Sequence, residues 1–182
     1  LNEMSNMQPT NLCRQFADIL GATPSVINGV CTATKSRTNL HPVVLGRRAE
    51  SFMFVPQAFS FENIDSEGRA LCLGETVILQ EEINPFISRL RANGIIVTAL
   101  HNHWLFDVPR LMYIHFESID EPLSFARKVR NALEVLTTRN VRRALNVRSS
   151  TNSQAEELCE EFHRILGGMH TFENGICMIM RS

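Results

Sequence analysis

Hydrophobic and polar residues alternate with two different periods along the middle of the chain. The stretches 70–79, 95–103 and 110–117 are rich in β-favouring residues and predict strands. Apolar residues at the three- and four-residue spacing of one helix face fill 83–90 and 125–136. The resulting order is β-α-β-β-α. It predicts an α+β fold with a mainly antiparallel sheet, helices packed on it, and a ferredoxin-like section.

The second and third of these strands carry apolar residues on both faces. In the run Ile95–Leu100, odd and even positions alike are apolar or small, apart from Thr98. An antiparallel sheet with one face in water alternates apolar and polar residues more regularly. We therefore expect helices on one face, and more sheet, a second unit or a partner on the other.

One segment of the chain occurs twice. Residues 11–36 and 157–182 align without a gap at an offset of 146, and each predicts an amphipathic helix ended by glycine, a turn and a strand. We predict one complete α+β unit over residues 1–146. Residues 147–182 would hold a linker plus the first helix and strand of a second, truncated or swapped unit. The identical positions are Leu12/Leu158, Cys13/Cys159, Phe16/Phe162, Ile19/Ile165, Leu20/Leu166, Gly21/Gly167, Asn28/Asn174, Gly29/Gly175, Cys31/Cys177 and Ser36/Ser182.

Charge and hydropathy exclude some classes of protein. The 182 residues carry a formal net charge of −1, whereas a dedicated nucleic-acid binder usually has a clear basic excess. No apolar run approaches the roughly 18 residues of a membrane span. We expect no nucleic-acid partner and no membrane span. The expected partners are a small molecule of unknown identity and either a tandem repeat unit or a second copy of the chain.

The five cysteines suggest a reducing compartment. Their number is odd and no CxxC occurs, which fits neither a disulfide framework nor a structural zinc finger. We therefore expect small buried hydrophobic residues rather than redox-active or bridged ones. The chain also opens without a basic and then apolar leader. These two features favour a cytoplasmic location.

The segment that carries chemistry is a pair of histidines followed by a third. His101 and His103 are two residues apart on a predicted strand, so both side chains point to the same side, and their imidazoles can converge on one ion. His115 lies on the next strand. It joins the same face only if facing residues have numbers with an even sum, such as His101 opposite Tyr113 or His115.

Three histidines with an open fourth position are typical of a catalytic zinc site. Glu75, on the strand before the first helix, is the best candidate for a carboxylate neighbour, ahead of Glu82 and Glu117. The sequence thus predicts a divalent metal, zinc in the first place, held by His101, His103, His115 and Glu75.

Three functions remain open from the residues alone. The first is a zinc-dependent, hydrolase-like enzyme, in which the metal lowers the pKa of a bound water towards about 7. The second is a non-catalytic binding module with a pocket lined by Trp104, Phe106 and Tyr113. The third is a structural or assembly protein in which hydrogen-bonded histidines only stabilise the fold. The chain contains no G-x-S-x-G, P-loop or dinucleotide fingerprint.

Several runs of the chain resemble a known family. These are GETVILQEEINP from Gly74, GIIVTALHNH from Gly94, Pro109-Arg110-Leu111 and Ile114-His115-Phe116. They are similar to the bacterial LppY/LpqO family, a domain of unknown function, over roughly residues 10–136. The resemblance implies two tandem copies and a functional histidine cluster, and it leaves export open. It implies no established reaction.

Overall fold

The computed structural model describes residues 8–139, 141–142, 152–173 and 175–181. The helices are α1 (Asn11–Leu20), α2 (Ile83–Ala92), α3 (Pro122–Leu133) and α4 (Asn152–Leu166), with a 3₁₀ turn (Gln80–Glu82) before α2. The strands are β1 (Thr23–Ile27), β2 (Val30–Ser36), β3 (Leu40–His41), β4 (Val43–Val44), β5 (Arg47–Arg48), β6 (Pro56–Glu62), β7 (Ala70–Leu79), β8 (Ile96–His101), β9 (Asp107–Val108), β10 (Leu111–Asp120), β11 (Val141–Arg142), β12 (Met169–Glu173) and β13 (Ile176–Met180). The start of the predicted linker, residues 147–151, lies outside the described residues.

The main element is a six-stranded antiparallel sheet in the order β1-β2-β6-β7-β10-β8. The long strand β10 lies between β7 and β8 and is antiparallel to both. This confirms the α+β class with mostly antiparallel strands. The ferredoxin-like comparison stays a prediction.

A hairpin forms where the repeated segment predicts a single strand. Asn28 and Gly29 have φ angles of 51° and 80°, and they turn the chain between β1 and β2. Asn-Gly is the preferred sequence for a two-residue turn with positive φ at both positions. The prediction of one strand was wrong, because the Asn-Gly turn divides this stretch into two paired strands.

Helices α1, α2 and α3 cover one face of the sheet. Phe16 of α1 lies at the centre, with ring centroids 5.0 Å from Phe61 of β6 and 6.5 Å from Phe125 of α3. All three rings are at most 6% exposed. Gly74 permits close packing on this face, because a Cβ there would lie 2.2 Å from the Phe116 ring. This face supplies the main hydrophobic core.

The opposite face is covered at one end only. There a second cluster packs against the ends of β7 and β10, and it consists of Leu40, Phe54, Val55, Val77, Leu79, Leu111 and Tyr113. Further along the same face, Thr32, Ser60 and Glu75 border an open groove. The expectation that the second face would be fully covered is therefore met only at this end within the described residues.

A buried ion pair joins three parts of the fold. Arg37, after β2, donates to both carboxylate oxygens of Glu82 at 2.7 and 3.0 Å, and both side chains are 4% exposed. The same carboxylate accepts the backbone N–H groups of Leu79 and Thr137. Every Glu82 oxygen is thus paired, which offsets the cost of burying the charge.

Two disulfides correct the prediction about the cysteines. Cys13 is bonded to Cys31 and Cys159 to Cys177, with Cα–Cα distances of 5.6 and 5.4 Å. Cys72 is free and buried, and burial raises the pKa of its thiol to about 12. An odd number of cysteines does not exclude disulfides, because two bonded pairs and one buried free thiol also add up to five.

The elements of the repeated segment recur in the same order. Each copy has a helix and a two-stranded hairpin, closed by a disulfide that spans 18 residues. β12 begins and ends 146 residues after β1. The helix and hairpin are therefore similar in local structure as well as in sequence.

None of the helices in the described ranges combines the length and apolar character needed to cross a membrane.

Candidate metal centre

Strand pairing places His101, His115 and Glu75 on the same face of the sheet. His101 lies opposite Tyr113, which satisfies the even-sum condition, and His115 lies opposite Glu75 on β7. This is the open face, not the face covered by helices. His103 follows His101 by two residues, just beyond the end of β8.

The three imidazoles form a compact group. The His101 ring lies between the others, with centroid distances of 5.0 Å to His103 and 4.9 Å to His115. One ring nitrogen of each histidine lies within 4.8 Å of those of the other two, and this group could hold a metal ion. The predicted convergence of three histidines is therefore present.

Glu75 lies beside the histidines without bonding to them. Its Oε1 atom is 3.8 Å from Nε2 of His103 and 3.9 Å from Nε2 of His115. Both distances exceed hydrogen-bond range. The carboxylate is therefore placed to favour a positive charge at the cluster. Of the weaker candidates, Glu82 is engaged by Arg37, and Glu117 lies two residues beyond His115 on β10, opposite Leu73 on the same open face.

One nitrogen of the cluster has no partner. Nε2 of His115 is buried and lacks a hydrogen bond within the described part of the chain. A buried polar atom left unpaired costs about 1–3 kcal/mol. A metal ligated at this nitrogen would satisfy it.

His103 is held by an aromatic contact that the sequence did not predict. Its ring stacks on Tyr113 at a centroid distance of 3.6 Å and an interplanar angle of 6°. The Tyr113 hydroxyl donates to the Phe54 carbonyl at 2.6 Å, which fixes the phenol ring below the histidine. The cross-strand position of Tyr113 relative to His101 is the signal that could have found it.

Burial lowers the pKa of His103 below its usual value. The neighbouring Glu75 carboxylate raises this pKa, and the charges of His101 and His115 lower it. Burial is the largest effect, so His103 is neutral at pH 7 and its ring nitrogen can act as a ligand.

The pocket predicted from Trp104, Phe106 and Tyr113 does not form. Tyr113 is fully buried, and Trp104 stacks on Phe54 at 5.1 Å. Phe106 is 70% exposed. The two inner rings build the floor of the histidine cluster instead of a cavity.

An open groove begins at the cluster and runs across the sheet. It has a volume of about 360 Å³ and starts at His115 and Glu75. Hydroxyl groups and apolar side chains continue it towards β1, namely Thr32, Ser60, Leu73, Val30 and Ile27. Among the described residues that line this groove there is no lysine or arginine, and Glu75 is the only acidic one.

The three remaining histidines are not part of this cluster. His41 faces Glu50, with 3.3 Å between Nδ1 and Oε1. His163 and His170 contact each other in the α4–β12 segment, and His170 lies 3.0 Å from a Glu160 oxygen.

Comparisons with known proteins identify the family but no reaction. A family model described as Domain of Unknown Function (DUF1259) matches residues 14–135, about two thirds of the chain. No curated protein and no solved structure matches the chain. The matched region includes all three histidines and Glu75. The LppY/LpqO name stays a prediction. The chain belongs to the DUF1259 family of domains of unknown function.

Proposed function

We propose that this domain binds one zinc ion through His101, His103 and His115 and acts as a zinc-dependent hydrolase. The supporting observation is the convergence of three imidazoles from two paired strands on the open face of the sheet. Zinc–nitrogen bonds of about 2.0–2.1 Å require the rings to move inward, which side-chain rotation allows. Three protein ligands leave a coordination position for water.

Glu75 has two roles open to it in this proposal. It lies within 4 Å of two of the histidine nitrogens and is partly exposed towards the groove. It can complete the coordination as a fourth ligand, or it can accept a proton from a zinc-bound water. The second role leaves the metal reactive and is the one a hydrolase needs.

Metal analysis of the untagged protein tests the proposal. After dialysis against zinc and removal of excess, we expect about one zinc per chain. We expect the zinc-loaded protein to hydrolyse a chromogenic acetate ester faster than an equal concentration of free zinc. Glu75→Gln should keep the metal and lose most of this activity. Absence of bound zinc contradicts the proposal at its first step.

A second function is supported by the groove. Zinc binding without hydrolysis would favour a non-catalytic module, in which the cluster anchors a small molecule lying along the sheet. The bound zinc would be cationic, and the other described residues of the groove are uncharged apart from Glu75. A ligand with an oxygen or nitrogen atom that can bind the metal and a neutral remainder therefore suits it. Bound zinc together with ester hydrolysis no faster than that of free zinc would select this function.

Zinc affinity should fall as the solution becomes acidic. Zinc binds the neutral imidazole, and a histidine of ordinary pKa is mostly protonated at pH 5. His103 resists protonation because burial lowers its pKa. We expect the Kd for zinc to rise by at least about 100-fold between pH 7.5 and pH 5. Competition with a fluorescent chelator measures it, and an unchanged Kd at pH 5 would contradict histidine ligation.

We also propose that the protein folds in an oxidising compartment. Both disulfides join a helix to the second strand of its hairpin. Such bonds persist outside the reducing cytosol. Thiol titration of protein from its native source, denatured without a reducing agent, should find one thiol per chain, that of Cys72. Five thiols would contradict the proposal.

The helix α4 supports a further proposal, that it begins a second unit that pairs with a copy of the chain. Phe162 is 49% exposed, whereas its counterpart Phe16 is fully buried. Leu166 is 41% exposed and its counterpart Leu20 is 2% exposed. In the first copy this face contacts β6 and α3. Within the described residues, the second copy thus presents the same apolar face without counterparts of β6 and α3 to cover it.

We expect the chain to be a homodimer through this face. Light scattering after gel filtration should give twice the chain mass of 20.6 kDa. Phe162→Ser should shift the protein to the monomer, because the side chain is central to the apolar face. Ile119→Ser, at a similarly exposed apolar position on β10, is the matched control and should stay dimeric. A monomeric wild type would rule out the homodimer.

A further inference from the structure

Four exposed apolar side chains lie in or beside the two short paired strands β4 and β9, the second of which follows the histidine pair in sequence. Leu45 is 80% exposed, Phe106 70%, Leu105 63% and Val108 44%. Leu105 and Phe106 follow His103 by two and three residues. We call these four residues the apolar tip. Each is exposed at the surface although the fold has a large core to take apolar side chains.

The apolar tip is built from two turns that pair with each other. β4 pairs with β9 so that Val44 faces Asp107. Leu45 follows Val44 and Phe106 precedes Asp107, so both residues adjoin this pair in the chain. Leu45 has a φ of 48° and Phe106 a φ of 64°, in the left-handed region that residues with a side chain rarely adopt. The fold thus retains strained backbone at both positions, and strain of this kind is concentrated at functional sites.

Polar contacts fix the base of the apolar tip. The buried Asp107 accepts the Leu111 N–H at 2.8 Å and lies 3.2 Å from the Arg110 guanidinium. Arg110 also donates to the Trp104 carbonyl at 3.2 Å. The apolar side chains are therefore carried on an ordered support, which reduces the entropy lost on binding.

Arginines border the apolar tip. Arg47 and Arg48 follow Leu45 after a single glycine, and both are exposed. Arg48 lies 3.5 Å from Glu50, while Arg47 takes part in none of the ion pairs found among the described residues. Arg110 is 38% exposed on the other side. Arg48 and Arg110 are thus each close to a carboxylate, and Arg47 supplies the unbalanced positive charge beside the tip, although the whole chain carries a net charge of −1.

We propose that the apolar tip inserts into the surface of an anionic lipid bilayer. Apolar residues at the apex of turns, bordered by arginines, are the arrangement that inserts below lipid headgroups and contacts their phosphates. A protein partner is a poorer fit because the side chains project from two turns and form neither a groove nor a flat face. Docking in this way directs the opening of the histidine cluster towards the bilayer. It does not require bound metal.

Co-sedimentation with vesicles tests this proposal. The wild-type protein should bind vesicles of phosphatidylglycerol and phosphatidylcholine more strongly than vesicles of phosphatidylcholine alone. Binding should weaken as NaCl rises from about 0.05 M to about 0.5 M, because salt screens the arginines. Protein treated with a chelator should bind equally well, which separates this result from the fate of the zinc proposal.

Variants locate the binding surface. Leu45→Asn/Phe106→Asn removes the apolar side chains and suits the positive φ, because asparagine tolerates this conformation. We expect this variant to bind vesicles at least about tenfold more weakly than wild type. We expect the Arg47→Gln/Arg48→Gln variant to lose the preference for anionic lipid. Ile64→Asn, at an exposed position in the loop between β6 and β7 at the far end of the sheet, should bind as wild type.

Three outcomes would overturn the proposal. The first is a wild type that binds no anionic vesicle. The second is a Leu45→Asn/Phe106→Asn variant that binds as wild type while Phe162→Ser is impaired, which would assign lipid binding to α4. The third is a tip variant whose only defect is ester hydrolysis, which would make the tip part of a substrate site. Circular dichroism of each variant verifies the fold.

Discussion

Replacing His101 by alanine should lower zinc affinity by at least about 100-fold, because loss of a partner outside the ligand shell already costs about 10–100-fold. His101 is the middle ring of the cluster, within 5.0 Å of both others. His115→Ala should cause a loss of similar size, although this residue is on a different strand. Isothermal titration with zinc, or competition with a chelator, gives both values.

The comparison between strands makes this prediction specific. A site made only by the adjacent pair on β8 and its end would respond to His101→Ala and not to His115→Ala. His170→Ala is the control for a general loss of imidazole, since this residue lies in the α4–β12 segment. Equal affinity in wild type and His101→Ala, or an equal loss in His170→Ala, would refute the three-histidine site.

Glu82→Ala should destabilise the protein by about 3–5 kcal/mol, the cost of removing one partner from a buried ion pair. The substitution leaves the Arg37 guanidinium buried without its carboxylate. It also leaves the N–H groups of Leu79 and Thr137 without their acceptor. Urea unfolding followed by circular dichroism measures the difference in free energy of unfolding.

An exposed ion pair of the same length provides the control. Arg69 and Glu67 approach to 2.7 Å, as Arg37 and Glu82 do, but their side chains are 50% and 68% exposed. Glu67→Ala should therefore cost about 1 kcal/mol or less. If Glu82→Ala and Glu67→Ala lower the free energy of unfolding by the same amount, burial does not make the Arg37–Glu82 pair more important for stability. The double variant Arg37→Met/Glu82→Leu should recover part of the loss, because neither charge remains buried.

The histidine centre could be predicted from the sequence up to one undetermined choice. A period of two places His101 and His103 on one side of a strand, and this needs no knowledge of the rest of the fold. The position of His115 depends on the register between β8 and β10, which short-range pattern does not determine. The bulge between His115 and Phe116 changes that register along the pair, so only the structure could assign it.

Contacts between distant residues were beyond the sequence pattern. Arg37 and Glu82 are 45 residues apart, and nothing local marks them as partners. The disulfides are different, because their signal was present. Both copies of the repeat keep two cysteines with the same separation of 18 residues, a regularity that buried hydrophobic residues do not require. The total of five cysteines does not reveal this shared spacing, because Cys72 lies outside the repeated segment.

The strand that leads into the His101–His103 pair is the outermost of the sheet, whereas His115 comes from a strand with neighbours on both sides. An ion held by all three histidines would therefore link the edge strand β8 to the interior strand β10. Without the ion, β8 can open locally while the interior strands of the sheet stay folded. Amide hydrogen exchange along β8 would then report what fraction of the protein carries its ion.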